Sequence, residues 1–161
     1  MGSRDSHTQE APRKPWQDIC DGIEQNDEEE AMEIANWMTR DPVCVTPDDT
    51  LAKAKSLMDA GHFRRLPVIE NGRLEAIITE RDLRQHSGYL DYTKVSAAMT
   101  PNPVTITPRI TAEDAARLML QHKIGGLPVL ASDKLVGIVS TSDLLRALLD
   151  VLQATQHIMD Y

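Results

Sequence analysis

Two kinds of hydrophobic spacing alternate along this chain. Val43 to Thr46 is a short strand-like run closed by Pro47, after which Leu51, Ala54, Leu57 and Met58 recur at helical spacing until Gly61, a helix stop. Two short apolar runs follow, "LPVI" (66–69) and "LEAIIT" (74–79), separated by Glu70-Asn71-Gly72, which predicts a β-hairpin. The second run feeds directly into "RDLRQH" (81–86), a helix start. The predicted order is β-α-β-β-α.

The same order comes again. Shifted by 61 residues, "MTRDPVCVTPDDTLAKAKSLM" from Met38 falls without a gap on "MTPNPVTITPRITAEDAARLM" from Met99, and "LPVIENGRLEAIITERDL" falls on "LPVLASDKLVGIVSTSDL". This is a tandem duplication. In the second copy Thr111 and Asp114 are spaced as a helix-capping pair, and "SDKL" replaces the Asn-Gly turn. Its last helix is longer: Leu144, Leu145, Leu148, Val151, Leu152 and Thr155 form an apolar stripe that outruns one small unit. Either a partner helix covers it, or it packs back on its own module near Trp37.

Outside the repeats, residues 1–26 are polar and aperiodic and are expected to form a flexible acidic tail. "DEEEAMEIANWM" changes character and predicts a lead-in helix over 27–37, with Glu28-Glu29-Glu30 near its positive N-terminal end. The expected division is therefore tail 1–26, lead-in 27–37, unit 1 with linker 38–98, unit 2 at 99–149, and a C-terminal helix extension over 150–161.

Charge sharpens this picture. The formal charge is −8, but the first 36 residues hold three basic and ten acidic side chains, which leaves the repeats at −1. No basic stripe exists to hold a nucleic-acid backbone, so nucleic acid is not an expected partner. Cys20 and Cys44 show no metal or disulfide spacing, which fits a cytoplasmic location, and no run is long and apolar enough for membrane insertion. The histidines at 7, 62, 86, 122 and 157 share no ligand spacing, so no metal is expected.

The duplicated unit, Met-Thr-x-x-Pro-Val followed by Leu-Pro-Val and then Gly-Ile-Val-Ser-x-x-Asp-Leu, resembles the cystathionine-β-synthase (CBS) domain, and its tandem occurrence resembles the pair called a Bateman module. The resemblance covers about Ile34 to Leu149. It implies an α/β fold of two β-α-β-β-α units related by a pseudo-two-fold axis, with clefts that in many members hold AMP, ADP, ATP or S-adenosylmethionine. It carries over no catalytic residue and requires no cofactor. It also implies pairing of modules, here a homodimer, and regulation of an enzyme or transporter on another chain.

Within that resemblance the residues can be given roles. Ser140 stands where a strand turns into a helix, and the free N–H groups of a helix start favour anions. Asp143, one turn on, suits the paired hydroxyls of a ribose, while Gly137 beside Ile138 leaves the strand bare for a base. Plain helix capping explains Ser140 and Asp143 equally well. Thr79 and Asp82 repeat the pair in the first copy, but Ala76 replaces the glycine, so Asp143 is expected to contribute more than Asp82. The resemblance also extends to Thr39 and Thr100 and to Pro67 and Pro128. Before the first proline stand Arg64 and Arg65, before the second Gly125 and Gly126, and Arg81 adds a third cation whose counterpart is Ser142. These arginines are expected to face phosphate. The resulting expectation is a non-catalytic adenine-nucleotide sensor; a ligand-free interaction module, an S-adenosylmethionine sensor and an enzyme are the competing readings.

Overall fold

A computed structural model describes residues 32–159. The expected acidic tail, the run Glu28–Glu30, Cys20 and residues 27–31 of the expected lead-in helix lie outside the described residues; the rest of that lead-in, 32–37, is not an α-helix but a bridge from Glu33 to Thr111 followed by a 3-10 turn at Ile34–Asn36. The elements are β1 (Thr39–Arg40), α1 (Leu51–Gly61), β2 (Arg65–Glu70), β3 (Arg73–Thr79), α2 (Glu80–Gln85), β4 (Thr100–Pro101), α3 (Ala112–His122), β5 (Gly126–Ala131), β6 (Lys134–Ser140) and α4 (Thr141–Met159). Single 3-10 turns at Ile34–Asn36 and Val95–Ala97 precede β1 and β4.

Local chemistry explains the boundaries. Thr50 and Thr111 cap α1 and α3 by accepting from the backbone N–H of Lys53 and Asp114, each at 3.2 Å. Both helices close on a left-handed residue, His62 at φ +55° and Lys123 at φ +54°. Gly61 is thus the last helical residue and not the left-handed stop. Its bareness serves packing, since a Cβ there would overlap the Phe63 ring. The hairpins turn through Asn71-Gly72 and Ser132-Asp133, all four at positive φ, which is the two-residue turn whose twist matches antiparallel strands.

Two three-stranded antiparallel sheets result, ordered β2-β3-β4 and β1-β6-β5. Each sheet takes its third strand from the other repeat: Thr39 pairs with Ile138, and Thr100 pairs with Ile77. The cores are exchanged in the same way. Val95, with Ala98 and Met99, completes the core of Leu51, Leu66, Val68 and Ile78, whereas Ile34, with Trp37 and Met38, completes that of Leu127, Val129 and Val139. Main-chain bonds repeat the exchange, with Ile34 N–H donating to Ile110 O and Val95 N–H to Asp49 O, both at 2.8 Å. Packing thus joins each repeat to the lead-in of the other, a division that differs from a cut between 98 and 99. Val45 and Ile106 add one parallel bridge each, to Val68 and Val129.

Candidate functional site

The two Ser/Thr-x-x-Asp sequences sit at the β3–α2 and β6–α4 junctions, where a central strand runs straight into a helix. In the second, Asp143 Oδ2 accepts from Ser140 N–H at 2.8 Å and from Ser140 Oγ at 3.0 Å. In the first, Asp82 Oδ2 accepts from Thr79 N–H and Thr79 Oγ1, both at 2.8 Å. Both junctions are reciprocal capping boxes that hold the strand-to-helix turn rigid. Capping and a ligand role are compatible here, because each cap engages only one carboxylate oxygen.

The second oxygen separates the copies. Asp143 Oδ1 accepts from Arg146 Nη1 at 2.8 Å, and the aspartate is only 8% exposed. The position corresponding to Arg146 in the first repeat is Gln85, and Asp82 is half-buried and forms no ion pair among the described residues. An acceptor oxygen is therefore freer on Asp82 than on Asp143, opposite to the order expected from Gly137 and Ala76.

The premise of that expectation also fails on packing grounds. Gly137 is buried, and a Cβ there would lie 2.6 Å from Met38 Sδ and 2.9 Å from the Thr39 carbonyl oxygen. Its bare side is thus filled by the exchanged strand β1. The Ala76 methyl belongs to the first hydrophobic core and is fully buried, so it crowds no base. Pro67 and Pro128 are likewise fully buried; their carbonyls accept from Val45 and Ile106 N–H at 3.0 Å. They act in packing and lend no surface to a ligand.

Thr39 and Thr100 are exposed on the exchanged strands, and Ile138, paired with Thr39, is half-buried beside Gly137. The arginines are dispersed. Arg64 is 83% exposed and lies 3.8 Å from Glu80 at the start of α2. Arg81 is exposed on α2 and forms no ion pair among the described residues. Arg65 turns away and crosses to the second repeat, where its Nη1 donates to the Gly125 carbonyl. Burial, and then the neighbouring Arg64 charge, lower its pKa from the ordinary arginine value. Gly125 and Gly126 supply the room, since a Cβ on either would press on the Arg65 guanidinium. The same Gly125 carbonyl accepts from Thr141 N–H at 3.1 Å, at the start of α4. The glycine pair that replaces the cations in the second copy is the seat of a cation from the first.

Sequence reasoning missed Arg146 and this cross-repeat contact. The first was visible as an i, i+3 charge pair after Asp143; the second joins residues 60 apart and left no local signal. Among the described residues no group of metal-ligating side chains occurs, and no helix is long and apolar enough to cross a membrane.

This architecture has counterparts. The CBS domain family matches residues 31–88 and 95–150. CBS domain-containing protein YhcV of Bacillus subtilis is 36% identical over 69% of this chain and 81% of its own. Among solved structures, a putative acetoin utilization protein (AcuB) from Vibrio cholerae superposes with a TM-score of 0.69 at 32% identity, covering 78% of this chain and 96% of the other. CBSX2, solved in complex with AMP, superposes at 0.67 with 30% identity, covering 74% and 97%. With both repeats matched and the exchanged two-sheet architecture in place, the chain belongs to the CBS domain family as a tandem pair.

Proposed function

We propose that this chain is a non-catalytic, cytoplasmic regulatory module that binds an adenine nucleotide, AMP, ADP or ATP, and reports occupancy through a homodimer or an enzyme or transporter on another chain. The observation that carries this reading is the first-repeat junction. There a capped helix N-terminus, a half-buried carboxylate with no arginine partner among the described residues and the exposed Arg81 share one strand-to-helix turn, and the exposed Arg64, just ahead of β2, lies 3.8 Å from Glu80 at that turn. The first amides of α2 are engaged, Glu80 N–H by the Arg64 carbonyl and Asp82 N–H by Thr79 Oγ1, so the reading rests on side chains: Asp82 suits a ribose, and the arginines suit phosphate oxygens. The similarity to CBSX2, which was solved with AMP, supports the ligand class. The ligand acts by binding one arrangement better than another, since differential affinity is the sole lever a ligand has.

The test is a thermal-shift series with AMP, ADP, ATP, adenosine and S-adenosylmethionine, followed by calorimetry. At 100-fold excess over its Kd a ligand adds about 2.7 kcal/mol, a clear rise in Tm. Phosphorylated ligands are expected to exceed adenosine by more than tenfold in affinity, and the difference is expected to shrink with salt. No shift with any of the five refutes the nucleotide reading and leaves a ligand-free interaction module. Tight binding of S-adenosylmethionine, insensitive to Arg64→Gly and Arg81→Ser, refutes the phosphate assignment, because cations disfavour a sulfonium.

A further inference from the structure

Each repeat carries a groove between its two helices, of about 410 Å³ between α1 and α2 and about 740 Å³ between α3 and α4. The lead-in of the other repeat is tied to both in one way. The Thr93 carbonyl accepts from Leu51 N–H at 2.9 Å at the start of α1, and the Met32 carbonyl accepts from Ala112 N–H at 2.8 Å at the start of α3. The offset of 61 makes these two bonds equivalent. Just ahead of Thr93 the linker lies along the first groove: the Leu90 carbonyl accepts from Ala52 N–H at 3.1 Å, while the Leu90 side chain lines that groove and packs on the first core. Met32 lines the second groove in turn, and the residues ahead of it are those of the tail.

The second groove has the greater need of a cover. Asp59, Arg84 and Ser87 on the first correspond to Leu120, Leu145 and Leu148 on the second, which are 80%, 55% and 50% exposed. Water suits the first set and not the second.

We infer that the chain's own tail supplies the cover: residues 16–23 lie in the α3/α4 groove as a short amphipathic helix, held by Trp16, Ile19, Cys20 and Ile23. Within an otherwise polar tail these four stand at the i, i+3, i+4, i+7 spacing of one helix face, and Pro15 directly precedes them, as suits a helix start. The reach is sufficient. Residues 24–31 span up to about 27 Å when extended, whereas α3, with its 11 residues, is about 17 Å long, so the segment can be laid anywhere along the groove. Charge agrees as well. Lys123, at the opposite end of α3 from the Met32 bond, lines the groove and forms no ion pair among the described residues, and Asp18 and Asp21 fall on the polar side of the docked segment. The tail is then a tethered cover for Leu145 and Leu148, and any partner that uses this face must displace it.

The test reads Cys20, the one thiol left after Cys44→Ser. Its reaction with a soluble disulfide reagent is expected to be about tenfold or more slower than in a chain that also carries Ile19→Glu and Ile23→Glu, the ratio measuring how rarely the tail leaves the groove. Leu148→Arg is expected to restore fast reaction with an unchanged circular dichroism spectrum. A short bismaleimide is expected to join Cys20 to Leu148→Cys within one chain, seen as a joined peptide pair at single-chain mass, and not to join it to Ser87→Cys at the equivalent place on the first groove. Equal Cys20 rates in all these chains overturn the docking, as does coupling to Ser87→Cys as readily as to Leu148→Cys. A conjugate of two chains in place of the intrachain one overturns it too, since a second copy then occupies the face.

Discussion

The contact between Arg65 and the Gly125-Gly126 pair makes a prediction whose sign depends on the partner. Gly126 opens β5 without a left-handed backbone, so alanine there is conformationally acceptable. Its methyl would overlap not only the guanidinium of Arg65 but also Cδ, so the side chain must leave as a whole. The loss is the charged hydrogen bond to the Gly125 carbonyl, about 1.5–3 kcal/mol, for a group already partly desolvated. Against this, replacing glycine restricts the unfolded chain and stabilises by about 0.4–1 kcal/mol. Gly126→Ala is therefore expected to cost about 1–2 kcal/mol in the wild type, and to be neutral or stabilising by up to about 1 kcal/mol in an Arg65→Ala background. Urea denaturation of the four proteins of this cycle measures the coupling, expected at about 1.5–3 kcal/mol. In Tm the single variant should fall by roughly 2–4 °C for each kcal/mol lost. If the two substitutions prove additive, Arg65 does not occupy the glycine seat in solution and the cross-repeat contact is wrong.

Two further outcomes concern the junctions, and a third concerns the turn ahead of α1. Asp82→Ala should weaken AMP binding about 10- to 100-fold by calorimetry, equivalent to the charge-assisted hydrogen bonds lost, and by more than Asp143→Ala; equal, negligible losses would leave both aspartates as caps alone. Arg146→Ala should free Asp143 Oδ1 and raise affinity or stoichiometry at the second junction, whereas unchanged titrations would show that this oxygen does not meet the ligand. Asp49 accepts from Thr46 N–H at 2.8 Å and pairs with Lys53 at 2.9 Å, and the Thr46 hydrogen bond above all lowers its pKa below the usual 3.8. Because the folded pKa is depressed, its contribution is complete above the unfolded value and fades as pH falls through the folded one. Asp49→Ala should thus be less stable than wild type at pH 7 and indistinguishable from it near pH 2; a gap that persists in acid would mean the loss is steric.

Much of the fold was legible because its signals are local and occur twice. Asn71-Gly72 announces a hairpin, and the offset of 61 transfers it to Ser132-Asp133, which would not announce one alone. The Thr111 cap is read within four residues, whereas its counterpart at Thr50 emerged only in the structure. The exchange of lead-ins was not legible. Its strands are two residues long, too short for any period, and Thr39 finds its partner 99 residues away at Ile138. For the same reason Gly137 read as a gap for a base: nothing near it in sequence shows that Met38 fills the space.

The site was legible as a set of residue types and misleading as a distribution. Comparing the copies showed cations in one and glycines in the other, which read as an unequal pair of ligand sites. Folding makes the inequality a contact, because Arg65 is delivered to the Gly125 carbonyl and only Arg64 and Arg81 stay in solvent. That carbonyl also receives Thr141 N–H, the first amide of α4, so the cation of one repeat and the helix start of the other share a single acceptor. The Thr141 hydroxyl donates to it as well, at 3.3 Å, so a phosphate competing for Arg65 would leave the carbonyl to the two donors of Thr141 alone and act on the first turn of α4. The outer stripe of α4 begins one turn later at Leu145. On the proposed nucleotide reading, a ligand that drew Arg65 away would reach the apolar face of the second repeat through one arginine and one carbonyl.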